Sequence, residues 1–133
     1  MKQLFRVGDK KYHEKIVRSE DLAGFETGMV HNVCSTFALA REVEWSSRLF
    51  VLEMLEEFEE GIGTELNILH KSPVLEGEKL LFEATISRLK EDEIYCDIIV
   101  RVDNRVIAEC TTGQKVLPKT KINQIISRIQ GNE

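Results

Sequence analysis

The chain has 133 residues, 42% hydrophobic and 31% charged, which fits one globular domain over 1–133 with its own core. A net charge of −5 argues against an electrostatic grip on nucleic acid, and no secretory leader or apolar run of bilayer length is visible, so a cytoplasmic protein without a membrane partner is expected. The three cysteines, Cys34, Cys96 and Cys110, are odd in number and lack a C-x-x-C spacing, so buried free thiols are expected rather than a disulfide framework or a zinc site.

Alternation over Tyr12–Val17 predicts a first or edge strand. Residues 18–35 form a polar, glycine-bearing connection that is expected to wrap over another element. From Thr36 to about Glu60 there is no Gly or Pro, and Leu39, Val43, Phe50, Met54 and Phe58 recur at helical spacing, which predicts one helix of about 37 Å. Ser35 is its expected N-cap and Gly61 its expected stop. At 100° per residue the apolar side chains fill one arc, with Glu44 inside it between Val51 and Leu55. Trp45, Leu49 and Leu52 fall outside the main stripe.

After Gly61 the pattern changes to alternation and β-branched residues over 62–70, 78–89, 94–102 and 106–116. The joints "KSPVLEGE", "KEDE" and "DNR" carry turn chemistry, and three hairpins in series are expected, with the N-terminal strand as a fifth. Pro118 closes the last strand, and "KTKINQIISRIQ" predicts a short amphipathic helix. A long helix and an antiparallel sheet each have an apolar surface to bury, so the expected class is α+β, the sheet curled round the helix. The uncovered sheet face and the extra apolar helix residues favour self-association.

In the strand "ELNILHKS", Leu66, Ile68 and His70 share one face, which puts an imidazole on a face that is otherwise apolar. His70 can be a hydrogen-bonded core residue, and Glu44 can reach water or pair with Arg41 or Arg48. Together they are the two ionisable groups directed to the same side, and a carboxylate near an imidazole is suited to moving protons near neutral pH. Thr36 falls at the helix start. A threonine there can simply cap the helix, but the unpaired N–H groups of that first turn can also hold a developing oxyanion. Acyl transfer to water fits such a set. There is no G-x-S-x-G elbow and no glycine-rich phosphate cradle, and His13, His31 and His70 are too dispersed for a metal set, so no metal or cofactor is expected.

On these residues the chain resembles the hotdog-fold fluoroacetyl-CoA thioesterase family, which carries Thr, seven residues, Glu, twenty-five residues, His; here these are Thr36, Glu44 and His70. "FRVGDKKYHEKIV", "EVEW", "GIGTELNILH" and "SPVLEGE" are similar to the family's flanking segments. The resemblance implies a homodimer with a continuous sheet, assembly beyond the dimer left open, and sites near the subunit boundary that hydrolyse acyl-CoA thioesters of short or modest chain. It implies that Glu44 and His70 activate water or form and resolve an acyl intermediate while Thr36 positions the group. Gly63 falls at the glycine near the acyl group. On the last strand Gln114 takes the place of the family's basic residue, with Lys115 beside it, and these two are candidate substrate contacts. "ETGMVHNVC" lacks the aromatic residues tied to selecting a fluorinated acyl group. A non-catalytic acyl-CoA-binding protein and a hydratase or dehydratase of the same fold are the alternatives.

Overall fold

The computed structural model describes residues 1–25 and 28–131, and the first two residues of "ETGMVHNVC", 26 and 27, lie outside them. In chain order the elements are β1 (Lys10–Ile16), the hairpin β2 (Leu22–Phe25) and β3 (Gly28–Cys34), α1 (Thr36–Met54), β4 (Glu59–His70), β5 (Lys79–Leu89), β6 (Glu93–Val102), β7 (Arg105–Pro118) and α2 (Lys119–Ile129). Five antiparallel strands form one sheet in the order β1-β5-β6-β7-β4, and α1 touches all five. This is the expected α+β arrangement of a sheet round a helix. The connection before α1, expected to wrap over another element, is itself a small β2–β3 sheet.

The strand order corrects the expectation of serial hairpins. β5, β6 and β7 are a meander, joined by tight turns; in the second, Asp103 adopts φ 51°, a left-handed position that an aspartate tolerates. β4, however, pairs with β7 and not with β5. Residues 71–78 can span roughly 26 Å, whereas three interstrand gaps amount to about 14 Å. A connection of that length does not force its strands to be neighbours. The segment crosses the sheet end, anchored by Lys71 N–H donating to Ile107 O (2.7 Å) and Cys34 N–H donating to Val74 O (2.8 Å).

α1 begins as expected. The Ser35 hydroxyl accepts from the Ala38 N–H at 3.0 Å, satisfying one donor of the first turn. Its end differs. The helix stops at Met54 with Leu55 extended, because the Glu56–Glu59 segment closes on itself: Glu59 N–H donates to Glu56 O (3.0 Å), and the Glu59 carboxylate accepts from Glu56 N–H (3.0 Å). Phe58 lies past the helix and is exposed. Gly61 is not a helix stop but a strand residue under the helix, where an added Cβ would sit 2.6 Å from Val51 Cγ1.

The core lies between Leu39, Val43, Phe50, Val51 and Met54 of α1 and the inward residues of the sheet, among them Phe82, Ile86, Ile98 and Val116. Cys34, Cys96 and Cys110 are buried free thiols, as expected. Burial pushes Cys34 up to about 11 and Cys96 and Cys110 up to about 12, because a thiolate is poorly solvated there. Among the described residues no helix is long and apolar enough to cross a membrane.

Candidate active site

β4 delivers His70 through a change of register. Its residues opposite Val116 and Gln114 are Gly61 and Gly63; after an irregularity between Gly63 and Glu65, those opposite Thr112, Cys110 and Ala108 are Leu66, Ile68 and His70. All these β7 residues are buried, so the bulge keeps small residues against the middle of α1 and sets Leu66, Ile68 and His70 on the helix-side face beyond it, Ile68 and His70 half-buried and Leu66 still exposed. The shared face expected from alternation is correct.

The last residue of β4 and the first of α1 then meet. Thr36 Oγ1 and His70 Nδ1 are 3.0 Å apart, so one proton is shared between a hydroxyl and an imidazole at the helix N-terminus. His70 Nε2 is buried and has no partner among the described residues. A buried ring nitrogen left without a partner is costly in a structural histidine and is useful in one that exchanges a proton with a substrate or water. The pair stands in the wall of a cavity of about 1170 Å³ between the β2–β3 hairpin, the start of α1 and residues 70–73.

Glu44 is placed elsewhere. It lines a second, smaller cavity of about 500 Å³ together with Trp45, Ser47, Gly63 and Gln114, and it is exposed. The expectation that it lies inside the apolar arc is corrected by the early helix end: without Leu55 and Phe58 the arc closes at Val51, and Glu44 stands at its margin. Neither arginine neutralises it. Arg48 donates to the Glu60 carboxylate at 2.9 Å and to Gly61 O at 3.3 Å, and Arg41 makes no ion pair among the described residues. Within one chain the site residues therefore form two groups, Thr36 with His70 and Glu44 with Gly63 and Gln114. The two cavities share Arg41 and Glu42 in their walls.

The remaining expected contacts divide by face. Gly63 is on the helix side, where an added Cβ would come no nearer to Glu44 Oε1 than 4.0 Å. Gln114 is buried and its amide donates to Ser47 Oγ at 3.0 Å, so it ties β7 to the helix next to Glu44. Lys115 points to the other face and is 3.8 Å from Asp92, outside both cavity walls.

Two features were not read from the sequence. Ser46 and Ser47 are buried in the helix face, with hydroxyls donating to Val43 O (2.7 Å) and Glu44 O (3.0 Å); serines at helical spacing with the apolar stripe were the available signal. His13 Nε2 lies 3.0 Å from Glu42 Oε1. That pairing joins β1 to α1, and His13 packs beside the Phe82 ring; its shared face with buried Val17 marked it as inward.

A five-stranded antiparallel sheet wrapped round one long helix is the hotdog fold, and the class it points to is the hotdog-fold thioester hydrolases. Residues 17–120 match the fluoroacetyl-CoA-specific thioesterase (FlK) family, and the chain belongs to that family and is an acyl-CoA thioesterase. A hypothetical protein of Thermus thermophilus, a thioesterase superfamily member, is 27% identical with a TM-score of 0.91, covering 97% of this chain and 96% of its own. A point mutant of FlK itself is 18% identical with a TM-score of 0.85, over 96% of this chain and 98% of its own. A hot-dog-like protein from Thermanaerovibrio acidaminovorans is 15% identical with a TM-score of 0.84, over 95% and 93%. No curated protein matches the chain.

Proposed function

We propose that residues 1–133 form one catalytic domain that hydrolyses a short or modest acyl-CoA thioester to the free acid and CoA, with Thr36, His70 and Glu44 as its reacting and positioning groups. The observation that carries this reading is the Thr36–His70 contact of 3.0 Å beside a buried, unpartnered Nε2. A thioester carbonyl set at the start of α1 meets unpaired backbone N–H groups and the positive end of the helix dipole as its oxygen becomes negative. Either water adds to the carbonyl carbon and passes its proton to the imidazole, or the Glu44 carboxylate adds and the resulting anhydride is then hydrolysed by water; in both routes the C–S bond breaks and the leaving thiolate takes the proton held by the imidazole. Three free cysteines fit a reducing, cytoplasmic compartment.

The working unit in this reading is a homodimer. β4 is an edge strand of 12 residues, and Ile62, Leu66, Leu69 and nearby Trp45 are exposed large side chains; a long edge of this kind invites pairing with a second copy. Antiparallel pairing of two β4 edges about Leu66 and Asn67 sets Gly63 of one subunit opposite His70 of the partner subunit. Since Glu44 stands beside Gly63, that register brings the carboxylate of one chain to the Thr–His pair of the other.

A thiol-release assay over acyl-CoAs of graded length tests the reading. Glu44→Ala and His70→Ala are each expected to lower kcat by about 10²–10⁴-fold while remaining folded dimers. Mixing the two inactive variants through unfolding and refolding is expected to restore roughly a quarter of wild-type activity, because half the dimers are hybrids with one intact site. Full hydrolysis by both single variants overturns the catalytic assignment, and no recovery on mixing overturns the shared site.

A further inference from the structure

Arg41 stands in the walls of both cavities. The other lysines and arginines there are each committed to a carboxylate: Lys15 to Asp21 at 3.2 Å, Arg48 to Glu60 at 2.9 Å and Lys71 to Glu109 at 3.0 Å. Arg41 has no such partner among the described residues. Its neighbour Glu42 lines both cavities as well, but its carboxylate is committed to His13 at 3.0 Å and forms no ion pair with Arg41. Glu44, three residues on, is close enough along the helix to pair with Arg41 but forms no ion pair with it. An unpaired guanidinium in a cavity wall offers a planar fork suited to a carboxylate or phosphate.

Position along the helix sets what it can reach. Arg41 is five residues beyond Thr36, or about 7.5 Å along the axis. Arg41, Thr36 and His70 line the same larger cavity, so a guanidinium there can serve an oxyanion several ångströms from a carbonyl held at Thr36 and His70, whether that oxyanion ends a short acyl chain or belongs to CoA. Resting on the thioesterase reading, we propose that Arg41 binds an oxyanion carried by the substrate, either a carboxylate at the end of the acyl group or a phosphate of CoA. The chain then selects among thioesters by charge, a property that Thr36, His70 and Glu44 do not supply.

Four thioesters separate the two sources: acetyl-CoA, succinyl-CoA and the N-acetylcysteamine thioesters of the same two acids, which lack phosphate. Their kcat/KM values are compared for wild type, Arg41→Gln and Arg41→Lys. For an acyl carboxylate, Arg41→Gln lowers the succinyl-to-acetyl ratio about tenfold or more on both carriers. For a CoA phosphate, it lowers the CoA-to-cysteamine ratio by a similar factor for both acyl groups. Arg41→Lys, which keeps the charge without the fork, recovers part of the lost ratio. Unchanged ratios with active wild-type enzyme overturn the proposal, and so does an equal loss on all four, which marks Arg41 as acting through Glu44. A wild type that hydrolyses no thioester overturns the catalytic reading itself.

Discussion

Gly61 and Gly63 stand two residues apart on the same strand face, yet they answer to different constraints. A Cβ at Gly61 meets Val51 Cγ1 at 2.6 Å, inside a packed core, whereas one at Gly63 comes no closer to any atom outside its own neighbourhood than 4.0 Å. Valine in a helix has one strongly preferred rotamer and cannot swing aside. Gly61→Ala is therefore expected to destabilise the fold by about 1–3 kcal/mol, read as a lower urea midpoint at unchanged m-value. Gly63→Ala is expected to keep the midpoint of the monomer fold. A glycine in the sequence announces freedom or closeness without saying which, and for that reason the helix stop expected at Gly61 is a packed strand residue instead. His70 was legible because alternation alone places it with Leu66 and Ile68. Thr36 was legible with it from the helix start and the family spacing, but their direct contact was not, because 33 residues intervene and only the packing of strand end on helix start brings them to 3.0 Å.

At the scale of the element, β4 contributes most to the site. The bulge between Gly63 and Glu65 lies beside the Glu44 carboxylate, the strand ends on His70, and its outer edge is unpaired in one chain. Leu66 and Leu69 are 38% and 58% exposed, on opposite faces in the C-terminal half of that edge. Placing lysine at both blocks edge pairing in the way natural edge strands do. The double variant Leu66→Lys/Leu69→Lys is expected to sediment as a monomer with unchanged far-UV circular dichroism and to lose most thioesterase activity; a dimer of wild-type mass and activity argues against pairing through β4.

Across the whole molecule, the three thiols report on the integrity of the core. Cys34, Cys96 and Cys110 come from β3, β6 and β7, and burial raises each above its ordinary value of 9.0 to about 11 or 12. An acid held neutral by the fold ionises first in the unfolded chain. As pH rises through 9 the unfolded state binds fewer protons than the folded one, so stability falls with pH until the buried thiols themselves ionise near 11–12. The urea midpoint is expected to drop between about pH 8 and pH 10.5, and replacement of Cys96 by alanine or serine to flatten part of that slope. At about pH 8 a thiol reagent is expected to react slowly with the native protein and rapidly with all three cysteines once it is unfolded.

The sequence by itself determined what depends on backbone period and short turns: the strand faces, the Ser35-capped helix start, the β5–β6–β7 meander and the Thr, Glu, His spacing. Tertiary structure alone decided where α1 ends, that β4 lies beside β7, and that Glu44 and the Thr36–His70 pair occupy separate cavities of one chain. The division has a physical cause. Side-chain alternation and helical spacing are properties of a few consecutive residues, whereas a connection of eight residues leaves its strands free to pair wherever burial is greatest.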